Sequence, residues 1–489
     1  MRREFPSFFI MKYVVPFAVV GLFLFLSACA RDKIKKASTS GYPDNIAEIV
    51  DNKCSTAGCH NTQSKTGAAG LDMSNWDKAM EGGNGGAVII PFYHKQSTVF
   101  LFCNTDSTLG ARVIPTMPYN QPPLSREEVI TLRDWIDNGA PNKDGFVKFS
   151  DNPQRHKIYI TNQGCDLVAV VDAESKLVMR YIPVGGTSGP EAPHRINVSP
   201  DGSFWCVSFI GGSLFQKFSA STDELLGQVD IGSGSWNSFV INQDGTKAYC
   251  IDWSGIGKVA EIDLVNYTYT YLVTDISSPH GSALSADEKY LYITGQKGNC
   301  FYKMDLSNPL DYIQISVDGN PPLATSPSRD VHDIIFSPDK SKYFLTCDRS
   351  NEVRVMNASN DSLLVVIQVG LKPQELAVST TTPYLFITCM EDNTFAQGTG
   401  SVSVIDYNTL TEVKKLFTGW QPHGIAVDDE KKLVYVANRN TNTGGPAPHH
   451  TTDCGGRNGY FTLIDLNTLE MVPSFKTELS PDPYSVAYR

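Results

Sequence analysis

The sequence predicts a multidomain chain: a small all-α domain over residues 42–145 and an all-β propeller of seven blades over residues 156–489. Three observations predict it. From Lys157 onward a unit opening near His194, Asn237, His280, His332, Gln374 and His423 recurs every 42 to 52 residues, the spacing of a repeat architecture. Within each unit apolar residues alternate and Gly/Asp turns recur, giving about four short strands, as in a propeller blade. Upstream, apolar residues follow a helical spacing instead, at Ile46, Ile49 and Val50 and again at Val129, Leu132, Trp135 and Ile136. With 489 residues, 41% hydrophobic and 19% charged, the composition is that of a globular protein and excludes disorder, collagen and coiled coil. A net charge of −11 argues against a nucleic-acid partner, which calls for clustered Lys and Arg.

The N-terminus comes first. Arg2, Arg3 and Lys12 precede an apolar run over 13–26 that is short for a spanning helix, so residues 1–28 are expected to be an export signal. The run ends in Leu26-Ser27-Ala28-Cys29, which resembles a bacterial lipobox. That resemblance implies cleavage before Cys29, lipidation of its sulfur and a polar tether over 29–41. The expected location is the cell envelope, anchored in a membrane by lipid and facing the periplasm or the cell surface. A plain transmembrane anchor is the alternative. Ten cysteines remain after Cys29, and their pairing cannot be read from spacing.

In the small domain a helix over 43–53 runs into Cys54-Ser55-Thr56-Ala57-Gly58-Cys59-His60. Two thiols followed by His suit covalent haem attachment, although the usual spacing is C-x-x-C-H and here four residues intervene. A Cys54–Cys59 disulfide and a zinc site of Cys54, Cys59, His60 and Cys103 are the alternatives. Thr116-Met117-Pro118, followed by Pro122-Pro123-Leu124, holds a methionine in a proline-rich loop, where soft thioether sulfur makes a sixth iron ligand. Ser125-Arg126-Glu127-Glu128 is a capping box opening a second helix that stops at Asn138-Gly139. Gly70-Leu71-Asp72-Met73-Ser74, Met117-Pro118 and Trp135-Ile136-Asp137-Asn138-Gly139-Ala140-Pro141 resemble the Planctomycete-type cytochrome c family. The resemblance implies one covalent haem c, held through Cys54 and Cys59, with His60 and Met117 as axial iron ligands. Met73, Met80 and His94 are lesser candidates for the sixth position.

After a linker over 146–155, the first repeat lacks its opening strand, and the last residues, Pro483-Tyr484-Ser485-Val486-Ala487-Tyr488, are an opening strand alone. Pairing them completes a seventh blade and removes an exposed sheet edge. Tyr159-Ile160-Thr161-Asn162 and Tyr435-Val436-Ala437-Asn438 resemble the YVTN-type seven-bladed propeller family, which speaks for fold and little for function. The seven positions opening the inner strands, His194, Asn237, His280, His332, Gln374, His423 and Tyr484, are expected to ring one mouth of the channel. Long loops at 318–329, 391–400 and 441–459 fall on the same face, the last carrying His449, His450, Asp453 and Cys454. A possible second metal or cofactor site is therefore His194, His280, His332, His423, His449 and His450, because imidazole suits copper, iron and zinc. The alternative is that the ring histidines only bond neighbouring backbone. Cys206, Cys250, Cys347 and Cys389, on second strands, are expected to act as small buried hydrophobes.

These readings converge on an exported haem c lipoprotein in electron transfer, with the propeller as docking or substrate-binding platform. The expected partner is a redox protein or a small-molecule substrate. A periplasmic oxidoreductase with a second metal or cofactor at the His-lined mouth is one alternative, and oxidoreductase is the reaction class if the chain is an enzyme. A surface protein that recognises protein or glycan is the other.

Overall fold

The computed structural model describes residues 39–489 apart from 187–188, 326–327, 396–398, 451 and 453. The signal over 1–28 and the lipidation site at Cys29 lie outside the described residues. No helix among the described residues is long and apolar enough to cross a membrane.

Seven antiparallel sheets make the propeller, six of four strands and one of five. The inner strands are Pro193–Val198, Trp236–Ile241, Pro279–Leu284, Val331–Phe336, Leu371–Val378, Pro422–Asp428 and Pro483–Tyr488. The last of these pairs with Lys157–Asn162, Ile158 facing Tyr488 and Ile160 facing Val486, so the chain's end closes the blade that its first repeat leaves open. Apolar side chains interlock between successive sheets; Trp205 and Phe218, for instance, stack at 4.1 Å under Tyr159 of the neighbouring blade. Cys206, Cys250, Cys347 and Cys389 lie on second strands and are fully buried, as small apolar fillers.

Two local features recur where inner strands begin. A residue at positive φ turns the chain inward in six blades: Ala192, Ser278, Asp330, Lys372, Gln421 and Asp482. In five of these the next residue is proline; in four it is the strand's first residue, where its fixed φ and missing N–H are accommodated, and Pro373 stands two residues inside Leu371–Val378. The register then shifts within the first few residues, as between Pro193 and Ile196 or Val331 and Ile334. A bulge of this kind bends the strand and re-aims its side chains.

The described α-helices precede the propeller: α1 (Asp44–Lys53), α2 (Trp76–Ala79), α3 (Thr98–Cys103) and α4 (Arg126–Asp137). The capping box is present, with Ser125 Oγ accepting from the Glu128 N–H and the Glu128 carboxylate accepting from the Ser125 N–H. Ile46, Ile49 and Val50 of α1 meet Val129, Leu132, Trp135 and Ile136 of α4 in one core. Lys53 ties the two helices by an ion pair of 2.7 Å to Glu128. Both tryptophan N–H groups are satisfied, Trp76 by the Ala140 carbonyl and Trp135 by that of Pro141.

The helical part does not hang free on its linker. Ile90, with Ala87 and Tyr93 beside it, joins the core of the closing blade with Ile158, Tyr181 and Leu479. Tyr93 and Tyr181 have ring centroids 5.9 Å apart. The connector is pinned as well: Phe149 is buried against Tyr159 and Val168, and Arg155 pairs with Asp151 at 2.6 Å and Asp172 at 2.9 Å. The described residues consequently form one compact unit.

Candidate functional site

The thiol–histidine segment follows α1 without a break. Cys54 caps that helix through its N–H to Val50, and the His60 N–H returns to the Cys54 carbonyl at 3.1 Å. Gly58, at φ +82°, makes the reversal that brings Cys59 back toward Cys54. The four intervening residues thus form a closed turn. Cys54 and Cys59 are unpaired. Burial, reinforced by the neighbouring Cys59, pushes the Cys54 thiol up to about 12.

His60 Nδ1 is buried without a full hydrogen bond. Burial lowers the imidazole pKa, and the nearby carbonyls of Ala68 and Leu71 offset part of that effect. Met117 is held by its N–H on the Phe102 carbonyl at 2.8 Å, and Met117 and Cys54 pack at the edge of the same core. Outside the Met117 loop lies an open cleft of about 410 Å³ bordered by Ile114, Pro115, Tyr119 and Pro123. Two free thiols, an adjacent histidine that burial keeps neutral, and a methionine packed with Cys54 on the α1–α4 core make a donor set that could hold haem c. The lesser candidates are otherwise engaged. Met73 and Met80 are buried core residues, and His94 Nδ1 lies 2.8 Å from Asp137 while its ring packs on Phe100.

On the propeller axis, His194, Asn237, His280, His332, His423 and Tyr484 line one enclosed cavity with about 10 Å³ of free volume, enough for a single water. The sequence places these positions around an open mouth; the structure buries them. Gln374, the seventh, turns aside to donate to Asp348 at 2.7 Å. In its place come residues that sequence reasoning missed, Arg195, Asp333 and Glu375. Each directly follows a ring position; the bulge turns both consecutive side chains inward at His194–Arg195 and His332–Asp333, and Glu375 alone inward after Gln374. In two other blades that following position is glycine because adjoining backbone fills the space. A Cβ on Gly281 would lie 2.8 Å from Asp333 Cα, and one on Gly424 would lie 2.2 Å from the Tyr484 carbonyl oxygen.

The ring is tightly packed. His280 and His332 have centroids 4.1 Å apart, His332 and His423 6.0 Å, and His423 and Tyr484 3.7 Å. His280 Nδ1 donates to the His332 carbonyl at 2.9 Å, and Gln163 donates to His194 Nδ1 at 3.1 Å. Hydroxyls of preceding blades fix the ring carbonyls: Thr294 donates to His332, Thr346 to Gln374, Thr388 to His423 and Ser238 to His280. His332 Nδ1 and both ring nitrogens of His423 make no hydrogen bond. Burial holds all four imidazoles well down the scale, His280 at about 4, so they are neutral at pH 7. Burial also raises Glu375 to about 7, although Arg195 Nη1 lies 3.1 Å from its Oε1. A metal cation in the ring would compete with that guanidinium for the same carboxylate. Among the described residues no three His, Cys, Asp or Glu side chains are already gathered around a common metal position.

His449 and His450 do not join the ring. They stand on the loop before Asn458–Asp465, where both face Glu478, a residue sequence reasoning did not single out. A disulfide between Cys165 and Cys454 ties that loop to the closing blade; Asp453 lies outside the described residues.

No family model matches the chain. Antigen Lp49 of Leptospira interrogans serogroup Icterohaemorrhagiae serovar copenhageni (strain Fiocruz L1-130) is 23% identical over 325 residues, which is 60% of this chain and 66% of that protein, just under two thirds of its length. Among solved structures, Kuenenia stuttgartiensis Hydrazine Synthase aligns at a TM-score of 0.45 and 16% identity, covering 62% of this chain and 91% of that one. A functionally unknown protein from Desulfotomaculum acetoxidans DSM 771 aligns at 0.49 and 12%, covering 67% and 100%. Such distant likenesses carry no argument, and the propeller stands on the strand order itself. The chain is a seven-bladed β-propeller with a small helical part packed on its closing blade, similar over part of its length to Antigen Lp49.

Proposed function

We propose that the chain is an exported, lipid-anchored haem c protein that transfers electrons, with the propeller as the platform that binds a redox partner or substrate. The observation that carries this reading is the pair of unpaired thiols, Cys54 and Cys59, folded into one closed turn against His60. In this reading Cys54 and Cys59 would hold the haem covalently, and His60 and Met117 would ligate its iron. The haem would supply a one-electron couple. The chain's part is to orient His60 through the turn, to hold Met117 by its backbone on Phe102 and to keep water out with the core of α1, α3 and α4.

The test is production of the full chain in cells that attach haem to a control cytochrome. About one haem per chain, resistant to extraction and lost in Cys54→Ser/Cys59→Ser, is the expected result. A colourless product from the same competent cells overturns the reading.

A second reading, a surface protein whose propeller recognises protein or glycan, is favoured by the partial similarity to a protein named as an antigen. It predicts that the Cys54→Ser/Cys59→Ser protein keeps full partner binding.

A further inference from the structure

We propose that His449, His450 and Glu478 form a binding site for one divalent cation of the zinc class, beside the paired strands Asn458–Asp465 and Thr477–Pro481. The site is separate from the closed axial ring and does not depend on the haem reading.

The scaffold is firm. Glu478 stands on Thr477–Pro481, which pairs with Asn458–Asp465 at the base of the loop. Asn440 Nδ2 bonds the Asn458 carbonyl at 2.8 Å, and Arg457 holds the carbonyls of Gly445 and Pro446. The Cys165–Cys454 disulfide fastens the other side. Glu478 is oriented through both oxygens: Oε1 accepts from Asn458 Nδ2 at 2.8 Å and Oε2 from the His449 N–H at 2.9 Å. Outer contacts of this kind set a carboxylate for a metal and leave each oxygen a second lone pair.

The donors are placed at ligand spacing. His450 Nδ1 lies 3.1 Å from Oε1 and His449 Nδ1 3.4 Å from Oε2. Two ligands about 2.1 Å from a tetrahedral ion stand about 3.4 Å apart. The His450 side chain is only 10% exposed, and its Nδ1, despite facing the carboxylate, completes no hydrogen bond. A buried ring nitrogen that faces a carboxylate oxygen at 3.1 Å without completing a hydrogen bond is placed to share a cation with it. The three groups meet pairwise through the carboxylate rather than around a common point, so loading needs the His449 ring to swing. Its side chain, 70% exposed, is free to do so. Two imidazoles and one carboxylate leave a fourth position toward solvent, the arrangement of an open site able to take water or a ligand rather than of a closed structural one.

The experiment is calorimetric titration of the chelator-treated full chain with Zn²⁺, in the Cys54→Ser/Cys59→Ser background so that neither that thiol pair nor haem contributes; the other described free cysteines are buried. One equivalent is expected to bind. Glu478→Gln, His450→Ala and the exposed His449→Ala should each abolish stoichiometric binding, while Asn458→Ala weakens it roughly 10–100-fold. His332→Ala and His423→Ala should leave it unchanged. Melting temperatures without metal check that each variant folds, and His449→Ala keeps the test decisive if the buried variants do not. No saturable binding, or binding that survives His449→Ala and Glu478→Gln, overturns the proposal. Haem content is read separately, so either proposal can fail alone.

Discussion

Replacing Glu375 with glutamine should remove a pH dependence built into the propeller axis. Glu375 is buried in the ring cavity, and desolvation outweighs the Arg195 guanidinium 3.1 Å away, while Asp333 pushes in the same direction as burial. The carboxyl therefore titrates at about 7 in the fold against 4.5 outside it. With the folded value raised, the folded state holds the proton more tightly. The stabilisation is fully present below pH 4.5 and is lost as pH rises through about 7. At about 1.4 kcal/mol per tenfold change in proton affinity, the loss is roughly 3 kcal/mol. Glutamine mimics the protonated acid at every pH. Relative to the natural protein, Glu375→Gln should thus gain roughly 3 kcal/mol between about pH 4.5 and pH 8. Urea unfolding followed by tryptophan fluorescence reads this, since Trp205 and Trp236 are fully buried in the blades. Urea midpoints of the two proteins that run parallel across that range would refute the reasoning, because Glu375 would then be ionised throughout.

Two further outcomes follow from the fold. Removing residues 483–489 takes away the inner strand of the closing blade, with Tyr484, Val486 and Ala487 buried on it. The loss is on the order of 5 kcal/mol of apolar burial and reopens a sheet edge, so the truncated chain should lose its cooperative melt. Ser125→Ala breaks the capping box of α4 and should cost about 1 kcal/mol. That change should appear as a lower unfolding midpoint for the near-ultraviolet signal of Trp135, and no change would mean that the cap is redundant.

What the sequence makes legible, and what it does not, divides along a physical line. Repeats, helix periodicity and the capping box are local, and each is visible because neighbouring residues determine it. The blade count was readable from the orphan strand at 483–488, because a sheet edge needs a partner. The axial ring was readable only by halves. Strand alternation assigns His194 to the channel and therefore sends Arg195 away from it, yet the bulge after Pro193 turns both inward. The same rule conceals Asp333 after His332 and Glu375 after Gln374. A charged residue directly after a ring position was the available signal, and it has meaning only once the register shift is known. This changes the chemistry as well as the roster. Four neutral imidazoles alone suggest a metal ring; a guanidinium and two carboxylates among them add groups that bind a proton and offset one another's charge. Glu478 was hidden for a different reason. It lies 28 residues beyond His450, on an outer strand where a carboxylate looks like any solvated charge. Only the hairpin between Asn458–Asp465 and Thr477–Pro481 brings it under the two histidines. Both cases place the recognisable histidine in the sequence and its decisive carboxylate in the tertiary structure. Substituting Glu375 and Glu478 separately should accordingly tell the two histidine groups apart. The first change should alter pH-dependent stability and leave Zn²⁺ binding intact, and the second should do the reverse.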